Sequence, residues 1–353
     1  MPETFSFIDS PDETMEFIDH LQAVVSRKNI RSLFIDHSGC KELDLCASLV
    51  MDTIIEHRRR SDTLSLSGKF STDERVNILL RASGLLKRIH HPSSILPPEI
   101  EARVKKSDLY FGFSKYSERS PHCDRAATHL TDYFSLCLQQ AGAKLSRSGE
   151  NKLATLIGEA ISNAEEHARG KWFAKAHFDL LRPKEQEGGA CHIVLVNFSE
   201  TTIFRSFMSP RASSETFRRM RAYAAEHLGK GLFEKPYDEE ALCTLYALQE
   251  GVSSLPERRG TGTTSLIDFF LQLAGVNPRM CVLSGHAFIL FDGKYRLKPE
   301  PFEGGERQVI AFNGDNSLER PPDGKYVRTV SNPFPGTLIS IKFNLKEKYA
   351  SSL

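Results

Sequence analysis

The chain has 353 residues and balances 46 Lys and Arg against 45 Asp and Glu, for a net charge of +1. A balance this even gives no general attraction to nucleic acid or to an anionic membrane, and no apolar run reaches the length of a membrane span. With 40% hydrophobic and 26% charged residues, the composition is that of an ordinary soluble globular protein, and the length exceeds what one core usually serves, which predicts more than one domain. The amino terminus, MPETFSFIDSPDETMEF, is acidic and lacks the basic-then-apolar pattern of a secretory signal. Seven scattered cysteines without a CxxC pair suggest neither a zinc knuckle nor a disulfide framework. The expectation is a cytoplasmic protein whose thiols fill its core. The basic cluster His57-Arg58-Arg59-Arg60 reads as a solvated helix end.

In chain order, Ser32–Asp36 reads as a short buried strand ended by His37-Ser38-Gly39. Leu43–His57 has helical periodicity, Thr63–Ser67 alternates as a strand, and Asp73–Ala82 follows as a helix with Ser71 or Thr72 before it as a cap. Strand, helix, strand, helix over residues 1–100 is a small α/β unit. Its order, with SLFIDHSGCKELDLCASLV at its centre, resembles a STAS domain, the fold of anti-sigma-factor antagonists; an unrelated small α/β module fits the same order. In the STAS family a phosphorylatable Ser follows an Asp at the start of the helix. Here Asp44 is followed by Leu45 and Cys46, so the resemblance implies a domain that docks a protein partner, or its own neighbouring domain, rather than one that accepts phosphate. Residues 101–124, with YFGFSKYSERSP, are aromatic, polar and turn-rich and read as a connector.

From Arg125 to Gly142 the pattern is helical and ends at glycine. Asn151–Gly170, NKLATLIGEAISNAEEHARG, then carries apolar residues at the i, i+3, i+4, i+7 spacing of an amphipathic helix. Glu159, Asn163 and His167 repeat every four residues and stack along one stripe beside the apolar one. A carboxylate one turn before a carboxamide suits magnesium-nucleotide chemistry, since the amide offers a neutral oxygen to a hard cation and the carboxylate can take a proton from an attacking water. Cys191–Phe198 is a strand-length run rich in Val and Ile. Glu215–Gly229 and Asp238–Gly251 look helical within a long segment over 201–259. Gly260-Thr261-Gly262-Thr263-Thr264 lets the backbone approach a phosphate and leads into a helix whose first amides would face an anion. Met280–Gly285 and Ala287–Phe291 read as adjacent strands with a turn at Asp292-Gly293, and Gly336–Phe343 as a terminal alternating strand.

The text ExxxNAxxH resembles the N-box of the GHKL ATPases, the group of gyrase B, the heat-shock chaperone ATPases, MutL and the histidine-kinase catalytic domain. GTGTTSL resembles the family's second glycine box, and Gly336-Thr337 its closing GT-led strand. The resemblance covers residues 125–348 and implies an α+β fold, a two-layer α/β sandwich (the Bergerat fold) whose lid spans about 201–259. It implies ATP and Mg²⁺ as ligands, with Glu159 activating the nucleophile, Asn163 holding the metal, Gly260, Thr261, Gly262, Thr263 and Thr264 cradling phosphates, and Thr337 beside adenine. His167 is a packing or phosphate-side neighbour. At the first glycine box the family has DxGxG, whose Asp accepts from the adenine amino group. Here Asn197 replaces that Asp and both glycines are absent. An amide oxygen still accepts, but it is neutral and weaker.

The function so implied is a nucleotide-dependent switch in bacterial signalling or defence, hydrolysing ATP, with closure coupled to homodimerisation. Two rivals stand beside it. One is a protein kinase: a histidine kinase would use a phosphoacceptor such as His129, which lacks an acidic residue after it, whereas a serine kinase of the anti-sigma type would act on another chain. The other is a sensor that binds nucleotide without hydrolysis.

Overall fold

The structure is a computed structural model and describes residues 1–61, 64–83, 86, 110–113, 121–140, 142–167, 171–179, 190–209, 212–228, 235–254, 262–302 and 305–352. It is a mixed α/β protein. The amino-terminal unit contains β1 (Thr4–Phe5), α1 (Pro11–Val25), β2 (Ser32–Asp36), β3 (Glu42–Leu43), α2 (Leu45–Ser61), β4 (Ser65–Lys69) and α3 (Glu74–Ser83). Strands β2 and β4 pair in parallel from Ser32 opposite Ser65 to Asp36 opposite Lys69, and β1 pairs in parallel with β3. The strand–helix–strand–helix order read from the sequence is present from β2 to α3. Helix α1 was not anticipated. Pro11 supplies a preset φ at its start, Asp12 and Glu13 complement the dipole in its first turn, and Met15, Ile18, Leu21 and Val25 form its buried stripe. Asp44 starts α2: its Oδ1 accepts the Ala47 N–H at 2.6 Å, a helix cap.

The rest of the chain forms β5 (Tyr110–Phe113), α4 (Pro121–Gln140), β6 (Ala143–Leu145), α5 (Arg147–His167), β7 (Lys171–Asp179), β8 (Ala190–Phe198), α6 (Ile203–Phe207), α7 (Ser214–Leu228), α8 (Glu239–Ala247), α9 (Gly262–Leu273), β9 (Arg279–Phe291), β10 (Lys298–Phe302), β11 (Gly305–Val309), β12 (Val327–Phe343) and β13 (Ala350–Ser352). A five-stranded sheet in the order β5-β7-β8-β12-β9 lies at the centre, each strand antiparallel to its neighbour. Three readings are corrected. Tyr110–Phe113, taken as connector, is an edge strand paired with Lys171–Ala174. The two expected strands at 280–291 are one strand that passes through Gly285 at φ 58°, where a residue without Cβ tolerates the left-handed backbone. Asp292-Gly293 therefore turns no hairpin between sheet strands; the chain runs on to β10, which pairs with β11.

Helices α4 and α5 pack on one face of the sheet, and α9 packs on α5. The second face is covered by the amino-terminal unit, with α1 on β12 and α2 on β8. Charged contacts fix this second layer: Arg328 donates to Asp12 Oδ2 at 2.5 Å, the Ser331 N–H donates to Asp12 Oδ1 at 3.2 Å, and Arg279 donates to Asp9 at 2.9 Å. Between these pairs Phe7 meets Phe334 edge-on with ring centroids 6.1 Å apart. Covered on both sides, β8 is buried from Ala190 to Asn197, which is why its sequence runs apolar instead of alternating. All seven cysteines are buried, and none forms a disulfide. No helix among the described residues is long and apolar enough to cross a membrane.

Gly336 has φ +132°, and a Cβ there would overlap the Asn197 carbonyl oxygen on the paired strand. Gly336→Ala is expected to lose roughly 1–3 kcal/mol of stability, read as a lower midpoint in chemical denaturation. Burial pushes the Asp44 carboxyl above its usual range, partly offset by the Ala47 N–H. The folded chain therefore keeps a proton that the unfolded chain releases, so this contribution is fully present below the ordinary aspartate range and is lost as pH rises through the folded value. Asp44→Asn retains a capping acceptor and removes the titration. Its stability relative to wild type is expected to improve as pH is raised toward neutrality, measured by denaturant melts across pH.

Candidate functional site

The register of the sheet assembles the floor of the site. Trp172 on β7 lies opposite Asn197 on β8, Asn197 opposite Thr337 on β12, and Thr337 opposite Ser284 on β9. Directly paired residues project to the same face, so these four form a row beneath the α5–α9 layer. Trp172 is fully buried and donates its indole N–H to Glu165 of α5 at 3.1 Å, which pins the helix onto the sheet. Ser284 Oγ accepts the Ile203 N–H at 2.8 Å and lies 2.7 Å from Thr337 Oγ1, a hydrogen bond in which either hydroxyl can be the donor.

Above the row lies a cavity of about 100 Å³, room for several waters at roughly 10–15 Å³ each. Asn163 and Ala164 of α5 form one wall, and Thr263, Leu266 and Ile267 of α9 another. Leu195, Asn197, Thr337 and Ile339 line the floor with Met280 and Val282 of β9, and Phe207, Leu248 and Val252 from the 201–254 segment close the side. The surface is mainly apolar with a few polar groups, the usual character of a small-molecule site.

Asn197 is 1% exposed, and among the described residues neither its Oδ1 nor its Nδ2 has a hydrogen-bond partner. Leaving a buried polar group unmade costs roughly 1–3 kcal/mol. An orphaned carboxamide at the floor of a cavity can give a hydrogen bond to, and take one from, a water or a ligand there.

The structure brings Asn163, Asn197, Thr263 and Thr337 to this one cavity. Thr264 is buried in the first turn of α9, one residue further along. Gly262 opens that helix, whose first turn carries no acidic residue to compete with an anion. Gly260 and Thr261 lie outside the described residues. Glu159 sits half-buried one turn before Asn163 on α5 and is not among the lining residues. His167 ends the same helix. The arginines of α7 stay on the surface: Arg218 and Arg219 pair with Glu215, holding its carboxyl below the usual range, and Arg221 pairs with Glu239.

Two elements of the site were missed from sequence. Ser284 carries the start of α6, a role that shows only once β9 is paired with β12. Glu240 of α8 accepts from Thr202 Oγ1 at 3.3 Å and from the His286 N–H at 3.4 Å, and it lies against Gly285, where a Cβ would overlap its carboxylate. Thr202 also caps α6, accepting the Arg205 N–H at 3.2 Å. The 201–254 segment is therefore fastened to the sheet beside the cavity by polar contacts at Ser284 and Glu240.

As to possible ligands, the described residues contain no cluster of His, Cys, Asp and Glu fit to hold a metal. Asn163 offers this cavity a neutral amide oxygen, and no carboxylate is among its lining residues. No family model matches the chain, nor does any curated protein or solved structure.

Ser284→Ala strips the acceptor from the part-buried Ile203 N–H. The expected cost is roughly 1–3 kcal/mol, together with faster hydrogen exchange at Ile203 that is not shared by the amides of β8.

Proposed function

We propose that this cavity is a nucleotide site of the GHKL kind, taking Mg²⁺-ATP, and that the protein is a nucleotide-dependent switch. The observation that carries the reading is the convergence on one cavity of Asn163, Asn197, Thr263 and Thr337, residues far apart in the chain, around a buried carboxamide with no partner. In this reading Asn197 and Thr337 face the base, the amino end of α9 with Thr263 and Thr264 faces the phosphates, and Asn163 gives an oxygen to the Mg²⁺ that the nucleotide carries. When bound, the metal would neutralise phosphate charge. Glu159 activates the attacking water. The 201–254 segment, fastened at Ser284 and Glu240, moves with nucleotide state and passes the change to a protein partner or a second copy of the chain.

A second reading is favoured by one observation. Glu159 does not line the cavity, and that supports binding without fast turnover, the behaviour of a sensor. Phosphotransfer to a serine of another chain is the third outcome that the same assay separates.

Calorimetric titration of the full chain with Mg²⁺-ATP is expected to show binding, weakened about tenfold or more by Asn163→Ala, the scale at which loss of a metal-orienting group acts. Equal affinity in wild type and variant would remove Asn163 from the metal. Phosphate release from the same samples separates hydrolysis from binding alone, and labelled phosphate on an added protein identifies a kinase.

A further inference from the structure

The proposal concerns which base the cavity accepts, and it rests on the nucleotide reading above. Asn197 stands in the row between Trp172 and Thr337, with both carboxamide atoms buried and unpartnered among the described residues. Nothing in the described structure fixes which end of the amide is which. Turning it by half a rotation breaks no hydrogen bond, so the donor and acceptor exchange places without loss. A carboxylate at this position would only accept.

The two purines present opposite patterns on the edge that such an amide meets. Adenine has a donor, its amino group, beside an acceptor ring nitrogen. Guanine has an acceptor, its carbonyl, beside a ring N–H donor. One orientation of the Asn197 carboxamide pairs with the first pattern and the turned orientation with the second, each time through two hydrogen bonds. The neighbouring hydroxyl adapts in the same way. Thr337 Oγ1 and Ser284 Oγ are hydrogen-bonded at 2.7 Å, with either able to donate, and Ser284 already accepts the Ile203 N–H at 2.8 Å. When Ser284 donates to Thr337, the Thr337 hydroxyl is free to donate toward the cavity; when Thr337 donates to Ser284, its oxygen lone pair remains to accept. The remaining floor, Leu195, Ile339, Met280 and Val282, is apolar and indifferent to the pattern.

We propose that Asn197 is a two-way reader that admits adenine and guanine nucleotides alike, and that the residue type at this position sets the base specificity. A carboxylate here only accepts: it takes one hydrogen bond from the adenine amino group and faces the adenine ring nitrogen unfavourably, while guanine meets it either with its carbonyl, which it repels, or with its ring N–H and 2-amino group, which it accepts. Asn197→Asp therefore converts a permissive site into a base-selective one.

The test titrates the full chain with ADP and with GDP, each with Mg²⁺, by calorimetry. Wild type is expected to bind both with dissociation constants within about tenfold of each other. In Asn197→Asp the ratio of the two dissociation constants is expected to move from its wild-type value by about tenfold or more, the scale of one mispaired two-bond contact. ADP binding by wild type with GDP weaker by more than about tenfold overturns this inference and leaves the nucleotide reading standing. An Asn197→Asp variant that keeps the wild-type ratio also overturns it. No binding of either nucleotide by wild type overturns the nucleotide reading itself. Should the aspartate variant fail to fold, the wild-type ratio alone decides.

Discussion

The central sheet has protein on both faces, and that constraint shapes everything around it. A strand with no wet side must be apolar throughout or must satisfy each polar side chain locally. Thr337 and Ser284 satisfy one another and the first amide of α6. Trp172 spends its N–H on Glu165. Asn197, in the same row, breaks the rule. Because its neighbours obey it, the exception carries information: the row is a built surface, with one group left open where the cavity meets the sheet.

The same constraint explains how the 201–254 segment is held. Its helices do not extend the sheet, so they need contacts of another kind. Those contacts include the apolar packing of α8 on β9 and β12, a serine hydroxyl beneath the first amide of α6 and a glutamate of α8 seated on the Gly285 bend. Gly285 is the point where β9 gives up regular geometry, and the register between β9 and β12 shifts nearby. The irregularity thus coincides with the attachment of the segment, as irregular strand geometry beside a functional cleft commonly does.

The parts of this arrangement that were legible in the sequence are those with a local signature. Helix α5 announced itself through the repeat of Leu153, Leu156, Ile157, Ala160 and Ile161, and α9 through Gly262 and the apolar run after it. The helical reading of Asp238–Gly251 corresponds to α8, which Asp238 caps by accepting the Ala241 N–H at 2.9 Å. The stripe Glu159–Asn163 was legible as a stripe, but which of its members reaches a cavity depends on how α5 is rotated against α9, and no local pattern encodes that. Strand β7, KWFAKAHFD, was missed because Lys175 and His177 interrupt an apolar run with residues that are nevertheless buried. Helix α1 was missed because its acidic start was weighed as a terminus and not as a first turn. The placement of the amino-terminal unit on the second face of the sheet was invisible, since it depends on pairs such as Asp12 with Arg328 that lie at opposite ends of the chain.

The buried cysteines have a use that their inertness conceals. Burial raises the thiols of Cys46, Cys191 and Cys281 well above their ordinary range and pushes Cys243 up to about 12, so in the closed protein they hold almost no thiolate, the form that reacts. They are spread over several layers: Cys123 and Cys137 in α4, Cys191 and Cys281 in the sheet, Cys46 in α2, Cys243 in α8, and Cys40 just before β3. Modification of any one of them requires its layer to part. The chain therefore carries its own set of chemical clocks, and the order in which these thiols react reads out which layer opens first.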